Sequence, residues 1–202
     1  MRILHAAIAA SALLPISTQA DELIYTFWNA AYVRADFSPP ASSEMSDFRM
    51  DGFGLGGSVE VTDRVFVFGS YADVSDMSAG SSLSERTYGV GAGYAWPLAE
   101  SFDIVGRLGY IHADADDGYY KLSDDAYAIG AGLRGRVLDS IEFEGGVEYA
   151  DFSRTGNTTN YIIGAQWYFV DQLALSGSAA FGDNVTTYTL GFRGTWGRNS
   201  RR

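Results

Sequence analysis

Ten stretches of this chain alternate between apolar residues and small or charged ones. Between Asp51 and Val61, Phe53, Leu55, Val59 and Val61 share one face, and Gly52, Gly54, Gly56, Ser58 and Glu60 the other. A sustained period of two predicts a strand, because successive side chains of extended backbone point to opposite faces. Tyr88, Val90, Ala92, Tyr94 and Trp96 oppose Glu85, Thr87 and glycines, and Phe102, Ile104, Leu108 and Tyr110 oppose Asp103 and Arg107. Further on, Tyr127, Ile129, Leu133 and Val137 oppose Arg134 and Arg136, while Ile141, Phe143, Val147 and Tyr149 oppose Glu142, Glu144 and Glu148. Tyr161 to Phe169, Leu173 to Phe181 and Tyr188 to Trp196 repeat the scheme, the last with Arg193 on the polar side. From Leu23 to Phe37 the odd positions read as the apolar face, with Asn29 as its exception and Trp28 and Tyr32 on the inner side. Val65 to Val74 is apolar on both parities, and a slip of one residue would reverse it, so its facing stays open.

Aromatics gather near the ends of the apolar face: Tyr88 with Trp96, Phe102 with Tyr110, Tyr161 with Trp167 and Phe169, Tyr188 with Trp196. This is the arrangement of two interfacial girdles around an apolar band, and the opposite face, rich in glycine, hydroxyls and charge, suits a barrel interior better than a sandwich core. Short connections near Asp63, 97–101, Asp139 and Asp171 alternate with longer polar ones at 38–49, 75–84, 115–125 and 153–158. The expectation is an all-β, up-and-down antiparallel transmembrane barrel of about ten strands, with eight as the alternative.

The start of the chain sets the compartment. Arg2, the apolar or small run from Ile3 to Leu14, Pro15, and small residues at Thr18 and Ala20 read as a secretory signal peptide over 1–20. The expected organisation is then a barrel over 21–196 and a basic tail, with Arg198, Arg201 and Arg202, over 197–202. The sequence has no cysteine, 24 Gly and only 4 Pro, which excludes a disulfide framework and a thiolate metal site and suits many strands. A formal net charge of -11 argues against nucleic acid.

On the inner face, Arg136 is expected opposite Glu142 and Arg134 opposite Glu144, with Glu60, Asp103, Arg107, Glu148 and Arg193 extending a charge network. Buried ions need partners, so the network reads either as a salt-bridged plug that fixes register or as the lining of a narrow pore. Gly52, Gly54 and Gly57 match a dinucleotide fingerprint by letter but sit in a strand without a following helix. His112 shares parity with Leu108 and Tyr110, which puts it at the rim facing headgroups; no nucleophile stands beside it and no convergent acidic pair is evident, so no catalytic residue, cofactor or metal is assigned. Asp114, Asp116, Asp117, Asp124 and Asp125 read as a solvated acidic external loop, with divalent-cation binding as the sharper reading.

Together these features resemble the small outer-membrane β-barrel proteins of the OmpA-like and opacity-like, porin-like superfamily. The resemblance is carried by the leader, the glycine strand Asp51 to Val61, the phrases Val67 to Tyr71 and Gly106 to Tyr110, and the aromatic last strand ending at Trp196. The residues after Trp196 depart from it, since the family usually ends on its final aromatic. The resemblance implies location in the bacterial outer membrane among lipid and lipopolysaccharide and insertion by the barrel-assembly machinery; a monomer is expected. It also implies a structural, envelope-integrity or adhesin-like role through external loops with a surface ligand or host partner. A narrow channel, and after it a rim hydrolase of lipid A or peptides, are the alternatives.

Overall fold

The structure, a computed structural model, describes residues 25–38, 46–76, 83–138 and 140–196. The leader over 1–20, the basic tail over 197–202, Asp139 and much of the 38–49 and 75–84 connections lie outside the described residues. Ten strands follow one another: β1 (Phe27–Phe37), β2 (Phe48–Glu60), β3 (Val65–Ser75), β4 (Ser84–Ala99), β5 (Phe102–Asp116), β6 (Lys121–Leu138), β7 (Ile141–Phe152), β8 (Gly156–Val170), β9 (Leu173–Phe181) and β10 (Val185–Thr195). Each pairs antiparallel with its sequence neighbours, and β1 pairs with β10 from Phe27↔Thr195 to Phe37↔Val185, closing the barrel. Closure leaves no edge strand and satisfies the backbone within the wall, the condition for crossing a bilayer with strands.

One end carries the tight turns, the start of β1 and the end of β10; the other carries the remaining connections. At the turn end, the amides of Val61 and Thr62 donate to the Val65 carbonyl, and the Thr62 hydroxyl accepts from the Val65 amide at 3.1 Å. Two connections at the loop end are shorter than the sequence suggests. The stretch read as a loop over 115–125 is mostly strand, with Asp114 opposite Ser123, Ala113 opposite Asp124 and His112 opposite Asp125, so only 117–120 connect β5 to β6. The connection read as 153–158 narrows to 153–155. The reason is turn chemistry: Asp116 accepts the Gly118 amide, Asp117 accepts the amides of Tyr119 and Tyr120, and Gly118 takes a φ of 83° that other residues rarely adopt.

β1 faces the opposite way from its sequence reading. Phe27, Val33, Ala35 and Phe37 are buried inside, whereas Trp28 and Tyr32 point outward. Register decides this: Tyr32 lies beside Phe53 and Leu190, both outward, and Trp28 lies between Gly57 and Gly194, with its indole where a Gly194 Cβ would stand. In β3 the even positions Phe66, Phe68, Ala72 and Val74 face in. Phe66 and Phe68 pair with Gly93 and Gly91, and their rings occupy the space a Cβ would take. Aromatic rings seated on cross-strand glycines fill the interior without straining the wall.

The interior therefore has two halves. Towards the loop end Val33, Ala35, Phe37, Met50, Ala72, Val74 and Val185 form one apolar cluster, with Phe48 and Leu83 against it, beside the buried polar Glu85, Thr87, Asp124 and Thr187. Ile111, Ala113, Ala126, Ala128, Ala150 and Phe152 belong to a second cluster, which descends through Phe68 to Phe66 and Tyr25. Towards the turn end it is charged.

Candidate functional site

The charged layer is built on the inner parity of β5 to β8 and β10. Arg136 lies opposite Glu142 and Arg134 opposite Glu144, the register expected from the sequence, although a bulge between Arg136 and Leu138 pairs Leu138, not Val137, with Ile141. The contacts follow a different scheme from the register. Arg136 donates to Glu142 Oε1 from Nη2 at 2.7 Å and from Nε at 3.2 Å, and Arg134 approaches the other Glu142 oxygen at 3.9 Å. Glu144 is instead bound by Arg107 of β5, Nη2 to Oε1 at 2.8 Å. The side chains are long enough to reach diagonally, so direct opposition does not dictate the partner.

Asp103 accepts the Tyr25 hydroxyl at 2.7 Å, and the Arg134 guanidinium stands 5.1 Å from the Tyr25 ring centre. Arg193, fully buried, donates to Gln166 Oε1 at 2.9 Å and lies 4.0 Å over the Phe27 ring. Glu148 is buried on the inner face of β7, and Glu60 is half-buried on that of β2. Thus Arg134 and Arg136 gather on Glu142 and Arg107 binds Glu144, while Asp103 and Arg193 are tied to aromatic and amide groups. Glu85 and Gln166 lie on the polar parity expected of them but were not counted with the charge network, and Tyr25, read on the outward parity with the odd positions of β1, lies inside. Beside the layer, a cavity of about 60 Å³ is lined by Asn29, Ser70, Ser178, Thr189 and Arg193, among others.

The five aspartates read as one acidic loop divide by facing. Asp124 turns inward, is buried, and accepts the amides of Arg154 and Thr155 and the Thr155 hydroxyl, fastening the β7 to β8 connection. Asp117 forms the turn. Asp114, Asp116 and Asp125 face outward: Asp114 accepts from Ser123, Asp116 pairs with Lys121 at 3.1 Å, and Asp125 contacts His112 Nδ1 at 2.7 Å. His112 Nε2 also lies 3.4 Å from Asp114, so two carboxylates do converge on this histidine. Among the described residues no group of three or more acidic, histidine or cysteine side chains is arranged to hold a metal ion.

Outside, each strand contributes one aromatic to a girdle near the loop end: Tyr32, Phe53, Tyr71, Tyr88, Tyr110, Tyr127, Tyr149, Tyr161, Phe181 and Tyr188. Tyr71 opposes Tyr88, Tyr110 opposes Tyr127 and Tyr161 opposes Phe181 across their ladders. Three hairpins repeat one motif above it. Tyr32 and Arg34 both bond Asp51; Tyr71 and Arg86 both bond Asp73; Tyr110 and His112 both bond Asp125. In sequence each is a tyrosine two residues before a charged or histidine residue on the outward parity, a signal that reading single strands did not combine. Asp116, beyond this girdle, has its carboxyl held below the usual range by the Gly118 amide and then by Lys121.

Several solved structures are similar to this chain. The Neisserial surface protein NspA is 13% identical, with 84% of this chain and 96% of that one covered and a TM-score of 0.42. Ail, the attachment invasion locus protein of Yersinia pestis, is 18% identical, with 84% and 99% covered and a TM-score of 0.41. The translocator domain of the autotransporter NalP from Neisseria meningitidis is 8% identical, with 85% and 88% covered and a TM-score of 0.51. At such identities the likeness concerns the fold alone. No curated protein matches the chain. The family described as outer membrane protein beta-barrel domain matches residues 6–169, most of the sequence. With its closed ten-strand wall and apolar outer band, the chain belongs to the outer membrane protein β-barrel family and resides in the bacterial outer membrane.

Proposed function

We propose that this protein is a closed, non-conducting and non-catalytic barrel that serves the envelope structurally and through its external rim and loops. The observation that carries this reading is the filled interior: Phe37, Phe48, Met50 and Val74 occupy its external half, and the Arg107–Glu144 and Arg136–Glu142 pairs its periplasmic half. A small barrel has an interior that side chains can fill, and here large ones do. A channel would need an open, continuous water-filled path, and these large side chains take up that space.

The rim hydrolase is the weaker reading. His112 has two carboxylates beside it, but the Ser123 hydroxyl donates to Asp114 rather than to the imidazole, so among the described residues no hydroxyl is coupled to His112 as nucleophile to base. Loss of a lipid A or peptide hydrolase activity in a folded His112→Ala protein would reverse that judgement.

The decisive experiment is single-channel recording of the refolded protein in a planar bilayer, beside the Arg134→Ala/Glu144→Ala variant. A folded, silent barrel is expected. Discrete conductance steps in the wild type, altered by the double substitution, would replace the plug with a pore lined by these charges.

A further inference from the structure

Among the described residues, the outward face just above the external aromatic girdle carries most of its charge on one side of the barrel. On β1 to β6 it carries Arg34, Asp36, Arg49, Asp51, Asp73, Arg86, His112, Asp114, Asp116, Asp125 and Lys121. On β7 to β10 the corresponding positions are Asp151, Asn157, Thr159 and Thr186, and the nearby cation Arg154 belongs to the connection above them. Side chains that point away from the barrel axis at this height meet lipid headgroups, because the aromatic belt marks the level where hydrocarbon ends.

The three arginines are presented alike. Each gives its Nε to an aspartate: Arg34 to Asp51 at 3.0 Å, Arg49 to Asp36 at 2.6 Å and Arg86 to Asp73 at 3.0 Å. Their side chains remain 40%, 55% and 60% exposed. The terminal nitrogens of Arg49 and Arg86 make no other hydrogen bond among the described residues, and Arg34 Nη2 donates to Tyr32 at 3.3 Å. The aspartates Asp51 and Asp73 are themselves held by the girdle tyrosines Tyr32 and Tyr71. A guanidinium anchored through Nε keeps its planar fork for a second oxyanion, and phosphate is the tetrahedral anion such a fork binds in bidentate fashion.

We propose that the external rim of β1 to β4, with Arg34, Arg49 and Arg86 as its phosphate contacts, is a docking surface for the phosphorylated headgroup of an outer-leaflet lipid. The carboxylates position the forks, and Tyr32 and Tyr71 fix the carboxylates of two of them at headgroup depth. This deepens the rim reading given above but does not depend on the closed interior: a conducting barrel could still bind the lipid, and a silent one could fail to.

The test uses the mature protein refolded in detergent and native mass spectrometry. It compares retention of bisphosphorylated lipid A, of the same lipid A after removal of its phosphates, and of inorganic phosphate. The wild type is expected to retain bisphosphorylated lipid A at least about tenfold better than the dephosphorylated form, as loss of charge-assisted hydrogen bonds predicts. Arg34→Gln/Arg49→Gln/Arg86→Gln should abolish that preference, and Thr159→Ala/Thr186→Ala on the uncharged side should keep it. Arg86→Gln alone, which disturbs one pair, should lower retention part of the way and serves if the triple variant does not fold. Equal retention of both lipids, an unaffected triple variant or an unaffected folded Arg86→Gln would overturn the proposal. So would displacement by inorganic phosphate at equimolar concentration, which would identify a site for the free anion and not for the lipid.

Discussion

At the scale of single residues, partners matter more than charges. Glu144 is buried against Arg107 and lies opposite Arg134, so Glu144→Ala would leave guanidinium charge in the interior with its carboxylate gone. Breaking one side of such a pair costs about 3–5 kcal/mol, and urea unfolding of the refolded barrel should lose stability of that order. Asp116 offers a pH test at the exposed loop end. Its carboxyl is held below the usual range by the Gly118 amide first and Lys121 second, so the turn's support is present above the ordinary aspartate value of about 3.9 and is lost only as pH falls through the lowered one. A carboxyl titration followed by NMR should place the Asp116 midpoint below that of a model aspartate, and Lys121→Ala should move it upward. A midpoint at or above the model value would contradict the turn geometry. Asp124 shows what sequence reading lacked here: as one of five acidic residues it looked solvated, yet it faces inward and binds backbone amides thirty residues away.

At the scale of elements, alternation located every strand but could not always say which side faced in. β2 and β4 to β10 carry bulk on one parity and small or polar residues on the other, and their faces were legible. β1 and β3 are apolar on both, because their inner residues build the apolar clusters while their outer ones meet lipid. Only register with neighbours separates the two cases. The cross-strand seats of Phe66 and Phe68 give a direct test. Gly93→Ala places a methyl against the Phe66 ring, and overpacking of this kind costs about 1–3 kcal/mol. Gly69→Ala on the outer face of the neighbouring strand meets nothing closer than 3.7 Å and should change stability by less than about 0.5 kcal/mol in the same unfolding assay.

At the scale of the whole molecule, the closed wall joins every strand to two others, so unfolding should be cooperative and the barrel should survive detergent until heated. Folded protein in SDS should migrate differently before and after boiling; identical migration would count against a barrel that holds together as one unit. The outer surface is asymmetric, with charge above the girdle on β1 to β6 and neutral polar groups on most of the rest. That asymmetry appears only when strands distant in sequence are set side by side.

By itself, the sequence determined the strand periodicity, the aromatic belts, an approximate strand count, and the cross-strand opposition of Arg134 and Arg136 to Glu144 and Glu142. All of these follow from local spacing along extended backbone. Tertiary structure decided the facing of β1 and β3, the pairing of Glu144 with Arg107, the inward turn of Asp124, and the gathering of the apolar clusters inside the wall. Each of these depends on register around a closed wall and on side chains meeting across it, and parity within one strand carries no information about either.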